Sequence, residues 1–296
     1  MKDRPLPAEF ELIERFFAPL AKDYPGALAL ADDAALIDLE PGFRLVVTTD
    51  VLVAGVHFPA ADPPDLIARK LLRVNLSDLA AMGAEPLAYL LALALPKDTP
   101  FSWLEGFARG LGTDYAEFAI PLVGGDTVAT TGPVTLTLTA LGKVAQGSAL
   151  MRSAAKAGDA IFVSGCIGDG ALGQRLVGLA HGVIDVSDGL IADLGHICQT
   201  SRLGAKIEAA SLPLSDAARA ALADDPGLLA TLLTGGDDYE LLFTIAPEAR
   251  GAVGEISRDL DLALTPIGSM CEGRGVTIID GTGLEDVLEA SGYRHF

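Results

Sequence analysis

Segments with strand character alternate with amphipathic helical segments in both halves of the chain, and this alternation constrains the fold more than any other feature. In the first half, the hydrophobic periodicity predicts strands at 43–49, 86–95, 120–123 and 134–141 and helices at 8–21, 64–82 and 101–119. In the second half it predicts strands or short apolar segments at 160–164, 183–186, 205–209, 240–245, 264–268 and 275–279, and helices at 171–180, 189–201, 215–232 and 247–258. This mixture indicates an α/β or α+β protein.

A stretch rich in Gly, Ala and Ser, at 142–158, separates the two halves. The chain has 296 residues, and a typical domain has roughly 150. Half of the residues are hydrophobic, which is enough for sizeable cores. We therefore predict two domains, 1–148 and 149–296.

The charge balance excludes several classes of partner. The chain has 21 Lys and Arg residues against 40 Asp and Glu residues, a formal net charge of -19. Such a protein repels nucleic-acid phosphates and anionic membrane surfaces. The longest apolar run, 87–95, is too short to cross a bilayer. We predict no nucleic-acid partner and no membrane association.

The cysteines and the N-terminus favour a cytoplasmic location. Cys166, Cys198 and Cys271 are far apart and form no CxxC pair, which argues against a disulfide framework or a zinc ribbon. The first residues lead into an acidic amphipathic segment rather than the apolar core of a signal peptide.

The aspartates fall at the edges of apolar segments. They are Asp32-Asp33, Asp50, Asp126, Asp185 with Asp188, and Asp237-Asp238, joined by Asp78 inside an otherwise apolar helix. Taken singly, each fits a turn former or a helix N-cap. If several meet at a sheet edge, their repulsion requires a cation. Mg²⁺ prefers oxygen ligands and takes its remaining ligands from phosphates, so the pattern predicts a magnesium–nucleotide site.

A second feature points to phosphate binding. From Thr127 to Gly158 the chain has no acidic residue, whereas Lys143, Arg152 and Lys156 are present. Arg152 could bind a phosphate with two hydrogen bonds. A solvated basic linker explains the composition equally well.

Other catalytic motifs give weak or no signals. Gly168–Gly173 matches GxGxxG and opens a helix, but no clear second strand carries the companion acid of a dinucleotide site. The chain has no GxxxxGK[ST] loop, no HExxH pair and no GxSxG elbow.

Seven segments, spread in order over nearly the whole chain, resemble the thiamine-monophosphate kinase family. They are Asp32–Ala35, Thr48–Asp50 with Leu52–Phe58, Val74–Ala84, Gly124–Asp126, Asp185–Leu190, Gly235–Glu240 and Gly292–Phe296. This family shares the PurM-like fold with aminoimidazole ribonucleotide synthetase and selenophosphate synthetase. The resemblance implies a homodimer, with an N-terminal dimerising α/β domain and a C-terminal α/β domain with mixed sheets.

The resemblance implies transfer of the γ-phosphoryl group of ATP to thiamine monophosphate, giving thiamine diphosphate. By resemblance, several Mg²⁺ ions bind as a cluster to Asp33, Thr48, Thr49, Asp50, Asp78, Asp126 and Asp185, with Asp188 at a further metal. Of these residues, Asp50, Asp78 and Asp126 would be catalytic. Gly125, Asp126, Arg152 and Ser187 would contact ATP. His57, Asp237 and Ala290 would contact the thiamine substrate.

Three departures from the family pattern leave alternatives open. Asp237 stands where the family has Glu, Ala290 stands where many members have an aromatic residue, and the stretch between Gly168 and Asp185 is some tens of residues shorter. The alternatives are another ATP-dependent enzyme with the same fold, or an inactive Mg-nucleotide-binding regulatory protein.

Overall fold

The computed structural model describes residues 6–7, 9–165, 170–225, 227–279 and 285–288. It divides into two compact units. The first comprises Met1–Leu79 and Glu85–Gln146, and the second comprises Ala80–Ala84 and Gly147–Phe296.

The elements of the first unit follow the predicted order. Its helices are α1 (Glu9–Leu12), α2 (Ala18–Ala21), α3 (Pro64–Ala81) and α4 (Phe101–Phe118), and its strands are β1 (Phe43–Val53), β2 (Glu85–Pro96), β3 (Leu122–Thr130) and β4 (Thr135–Ala145). One π-helical turn, Ile13–Phe17, joins α1 to α2. The predicted helix at 8–21 is therefore helical from residue 9 onward.

The strands of the first unit form a sheet in the order β1-β4-β2-β3. β4 is antiparallel to β1 and β2, whereas β2 and β3 are parallel. Along β4, Leu136, Leu138 and Ala140 are fully buried, while the threonines between them are partly exposed. This alternation is typical of a sheet with one face against the core and one face toward water.

The predicted strand at 120–123 is wrong at both ends. β3 begins at Leu122 and continues through Gly124 and Gly125 to Thr130, paired with β2. A glycine pair usually indicates a turn, but here the two residues lie beside Leu90 and Leu91 of β2. Asp126 therefore lies inside a strand rather than in the turn after it.

A buried ion-pair network holds α3, the helix that carries Asp78. The carboxylate of Asp114 on α4 is fully buried and accepts hydrogen bonds from Arg69 Nε at 3.2 Å and Arg73 Nη2 at 2.9 Å. Because a buried carboxylate without partners is costly, these contacts fix α3 against α4.

The second unit also follows the predicted order. Its helices are α5 (Gly170–Leu176), α6 (Leu190–Ser201), α7 (Asp216–Asp224), α8 (Leu228–Thr234) and α9 (Arg250–Leu260), and its strands are β5 (Ala160–Ser164), β6 (Ala180–Asp185), β7 (Gly204–Glu208), β8 (Leu241–Ile245), β9 (Leu264–Cys271), β10 (Gly275–Ile279) and β11 (Glu285–Leu288). The hydrophobic periodicity did not predict β11, which pairs with β10.

In the described part of the second unit, the strands form one mixed sheet in the order β11-β10-β7-β9-β5-β8-β6. Alternate residues of β5 enter different cores. Ile161 and Val163 pack in a cluster with α6, and Ala160 and Phe162 pack in a cluster with α5 and α9. Helices thus cover both faces, which confirms the predicted α/β class with mixed sheets.

Each helix in the described part of the chain is too short or too polar to cross a bilayer.

Candidate active site

The first unit brings together Thr48, Asp50 and Asp78. Thr48 and Asp50 are two residues apart on β1, so their side chains lie on the same face of the strand. Both are half-buried, as is Asp78 on α3. The Thr48 hydroxyl donates a hydrogen bond to Asp78 Oδ2. This contact joins the strand to the helix at the predicted metal-binding residues.

The environment of Asp50 disfavours its charge. Burial, together with the nearby Asp78 carboxylate, raises the pKa of Asp50 to about 6. Two close carboxylates and a hydroxyl form a set of oxygen ligands, which suits a hard cation such as Mg²⁺. A bound cation would favour the ionised form of the Asp50 carboxylate. Thr48, Asp50 and Asp78 therefore fit the predicted metal.

The sheet places the other predicted ligands of the first unit elsewhere. Asp50 on the edge strand β1 pairs with Leu138 of β4. Asp126 lies on β3, the opposite edge strand of the sheet, and pairs with Ala92 of β2. Asp126 is exposed, and its Oδ1 accepts a hydrogen bond from the Thr127 amide at 2.8 Å. Asp33 is exposed in the loop before β1.

Thr49 uses its hydroxyl within the sheet. It donates to the carbonyl of Leu138 at 3.1 Å and lies 3.0 Å from the Thr139 hydroxyl. Among the side chains that the structure describes, no three from Asp, Glu, His and Cys group together as metal ligands. The predicted ligands are divided between the two units.

His57 lies in the loop after β1. Its Nδ1 accepts a hydrogen bond from the Val53 amide at 3.0 Å, so the neutral ring carries its proton on Nε2. Lys70 Nζ on α3 donates to the His57 carbonyl at 2.9 Å. Residues 55–59 line an open pocket around this histidine.

In the second unit, the segment Asp185–Gly189 joins β6 to α6. Asp185 ends β6, is buried, and pairs with Leu241. The backbone amides of Ser187 and Asp188 both donate to Asp193 Oδ2, each at 3.0 Å. The predicted ATP contact Ser187 and the predicted metal ligand Asp188 are therefore held by a side chain of the next helix.

The segment that carries Asp237 lies directly against the Ser187 segment. The Asp237 amide donates to the Ser187 carbonyl at 2.8 Å, and the Tyr239 amide donates to the Val186 carbonyl at 2.7 Å. Burial and the neighbouring Asp237 raise the pKa of Asp238. The second unit thus places a residue predicted to contact ATP beside one predicted to contact the thiamine substrate.

Arg152 has a fixed backbone and an exposed side chain. Its carbonyl accepts hydrogen bonds from Thr200 Oγ1 at 3.1 Å and from Ser201 Oγ at 3.2 Å. The preceding residue, Met151, forms a β-bridge with Gly182 of β6. The exposed guanidinium remains suited to a bidentate phosphate contact.

The sequence did not point to Asp193, which holds two of the predicted site residues. It is 2% exposed, and burial raises its pKa to about 6. The available signal was an acidic residue in the first turn of a predicted helix. A negative charge there interacts favourably with the helix dipole and can accept hydrogen bonds from amides that have no partner within the helix. Ala290 and the terminal motif Gly292–Phe296 lie outside the described residues, as does part of the Gly168–Gly173 motif.

Comparison with known proteins identifies the family. Residues 31–144 match the AIR synthase related protein N-terminal domain, and residues 124–281 match the AIR synthase related protein C-terminal domain. The thiamine-monophosphate kinase of Escherichia coli (strain K12) is 41% identical over 325 aligned positions, covering 97% of this chain and 98% of that protein.

Two solved structures agree with this match. The thiamine-monophosphate kinase from Stenotrophomonas maltophilia K279a has a TM-score of 0.83 and 39% identity, covering 93% of this chain and 98% of that one. AaThiL complexed with AMPPCP and TMP has a TM-score of 0.76 and 28% identity, covering 90% and 91%. The chain therefore belongs to the thiamine-monophosphate kinase family.

Proposed function

We propose that this protein phosphorylates thiamine monophosphate with ATP to give thiamine diphosphate, in thiamine diphosphate biosynthesis. The observation that carries the proposal is the 41% identity to a thiamine-monophosphate kinase across 97% of the chain. The structural likeness to a relative complexed with AMPPCP and TMP gives further support. We also propose a cytoplasmic location and domains at 1–148 and 149–296.

We propose that oxygen ligands in each unit bind Mg²⁺. The ligands would be Asp33, Thr48, Thr49, Asp50, Asp78 and Asp126 in the first unit and Asp185 and Asp188 in the second. The contact between Thr48 and Asp78 and the raised pKa of Asp50 support the assignment for these three residues. When bound, the metal neutralises charge on the transferring phosphoryl group.

The residues proposed for ATP are Gly125, Asp126, Arg152 and Ser187. In the reaction, a phosphate oxygen of thiamine monophosphate forms a bond to the γ-phosphorus, and the bond from that phosphorus to the bridging oxygen of ADP breaks. The acceptor phosphate is already ionised, so the chemistry needs no strong general base. The residues act by positioning and charge neutralisation, and the exposed guanidinium of Arg152 suits the first of these roles.

The residues proposed for thiamine monophosphate are His57, Asp237 and Ala290. The hydrogen bond between Asp237 and Ser187 supports an arrangement in which the acceptor lies beside the nucleotide. Asp237 is one methylene shorter than the Glu of the family, so its carboxylate reaches less far from this fixed backbone.

The test is direct. The purified chain is incubated with ATP, Mg²⁺ and thiamine monophosphate, and thiamine diphosphate is measured by chromatography. We expect product that requires both Mg²⁺ and the acceptor phosphate, so unphosphorylated thiamine serves as the matched control. Absence of product across a range of Mg²⁺ concentrations contradicts the proposal. ATP binding without turnover would favour the regulatory alternative.

We further propose that the protein is a homodimer formed through β1. This strand lies at an edge of the four-stranded sheet in the described structure. Its outward row includes Phe43, Leu45, Val47 and Val51, which are 36%, 43%, 56% and 46% exposed. An exposed apolar edge strand favours pairing with another chain. In a dimer with two-fold symmetry, the row on one copy would face the same row on the other copy.

Val47→Lys is expected to shift the protein to monomer, because a charge would be buried in the apolar row. Sedimentation equilibrium at micromolar concentration measures the change. Leu36→Lys is the matched control, since Leu36 is 63% exposed in the same unit but lies outside β1. A native chain that is monomeric, or a Val47→Lys variant that remains dimeric, would contradict this interface.

A further inference from the structure

Asp193 is a buried carboxylate to which the proposed chemistry gives no role. It is 2% exposed and lies in the first turn of α6. One of its oxygens, Oδ2, accepts both the Ser187 and the Asp188 amides at 3.0 Å. A hydrogen bond to a charged acceptor is stronger than one between neutral groups, and an amide left without a partner in this partly buried segment would be costly. Asp193 therefore fixes the path of the backbone at Ser187 and Asp188.

The Ser187–Asp188 segment is also hydrogen-bonded to the segment that carries Asp237. Ser187 donates its amide to Asp193 and accepts the Asp237 amide at its carbonyl, at 2.8 Å. The two backbones are closely packed there, because a Cβ on Gly236 would lie 2.3 Å from the Ser187 carbonyl oxygen. A shift of Ser187 must therefore be transmitted to Asp237.

We propose that Asp193 is a positioning residue that sets the Ser187–Asp188 segment and, through the Ser187 carbonyl, Asp237. It would thereby fix the ATP contact and the thiamine monophosphate contact relative to each other. The kinetic part of this inference rests on the proposed function, whereas the coupling between the two segments does not. A residue that merely capped α6 would change stability without changing the KM of either substrate.

The experiment compares Asp193→Ala and Asp193→Asn with Ser215→Ala as the matched control. Ser215 caps α7 in the same unit by accepting the Ala218 amide at 3.1 Å, and we assign it no site role. In Asp193→Ala, hydrogen exchange should quicken at Ser187, at Asp188 and also at Asp237. Asp193→Asn should restore most of the protection, because its side-chain oxygen can accept both amides. Ser215→Ala should leave all three amides unchanged.

Kinetics provide the second readout. In Asp193→Ala, kcat should fall by ~tenfold to a hundredfold, and the KM values for ATP and for thiamine monophosphate should both rise. Asp193→Asn should remain within about threefold of the native enzyme in each constant. Should Asp193→Ala not fold, Asp193→Glu is measured instead, since its extra methylene displaces the carboxylate and should raise both KM values.

Unchanged protection at Asp237 in Asp193→Ala, or in Asp193→Glu where that variant replaces it, would overturn the coupling. Unchanged kcat and KM values in the same variant would overturn the positioning role. If the native chain makes no thiamine diphosphate, the proposed function fails, yet the exchange data still decide whether Asp193 holds the two segments together.

Discussion

Replacing Asp50 with Asn is expected to lower kcat by about a hundredfold or more, because it weakens metal stabilisation of the transferring phosphoryl group. The same change should stabilise the metal-free protein. Asp50 is half-buried near the Asp78 carboxylate, and this environment raises its pKa to about 6. Removing the charge relieves a repulsion that the folded state otherwise carries at neutral pH. After allowing for solvent screening, we expect a gain of about 1 kcal/mol in the free energy of unfolding.

The pH dependence of this gain distinguishes it from a packing effect. The folded state holds the Asp50 proton more tightly than the unfolded state, whose Asp pKa is about 4. The contribution of Asp50 to the free energy of unfolding of the native protein therefore falls as the pH rises from about 4 to about 6. The advantage of Asp50→Asn should be absent near pH 4, grow through that window and stay constant above it.

Urea unfolding of the metal-free proteins at several pH values measures this difference. Asp98→Asn is the control, because Asp98 is an exposed aspartate of the same unit. With Mg²⁺ added, the native protein should gain stability and Asp50→Asn should gain much less. An Asp50→Asn enzyme with normal turnover, or one that is less stable than the native protein at pH 8, would remove Asp50 from the metal site.

The parts of the fold that the sequence predicted are those that depend on local periodicity. The alternation of Thr and Leu along 135–139 identified a sheet with one exposed face, and the structure buries Leu136 and Leu138 as that pattern requires. The predicted strand at 160–164 is β5, and its four successive apolar residues pack against helices on both faces of the sheet. In each case the signal lies within a few neighbouring residues.

Strand ends were harder to predict, because they depend on partners that are distant in sequence. Gly124 and Gly125 resemble a turn when only their neighbours are considered. They continue β3 because β2, more than thirty residues earlier, offers hydrogen-bonding partners at Leu90 and Leu91. Likewise, β1 runs past the predicted end at Thr49 to Val53 because β4 pairs with it throughout.

The candidate site shows the same division. The chemistry of the aspartates, and their resemblance to family motifs, predicted individual residues such as Asp50 and Asp185. The sequence could not show that Thr48 hydrogen-bonds to Asp78, thirty positions away, or that Ser187 joins Asp193 to Asp237. Those contacts arise only when strands and helices pack, and they determine which residues act on each other.

Gly125→Ala is expected to cost about 3 kcal/mol or more in the free energy of unfolding, or to prevent folding. A Cβ at this position would lie 1.8 Å from the carbonyl oxygen of Leu91 and 2.7 Å from its carbonyl carbon. Both are backbone atoms of β2, so no side chain can move aside, and the pairing of β2 with β3 must open. Since Asp126 follows directly, any folded Gly125→Ala protein should also lose most of its kinase activity.

The neighbouring glycine supplies the matched control for this prediction. A Cβ on Gly124 would lie 3.1 Å from Cδ2 of Leu90, the end of a flexible side chain that can rotate away. Gly124→Ala should therefore change the free energy of unfolding by no more than about 1 kcal/mol. Urea unfolding of the two variants tests the difference, and equal stabilities would show that the close approach of β2 and β3 does not require a glycine at position 125. A large loss confined to Gly125→Ala would establish that this glycine is needed to build the strand that carries Asp126.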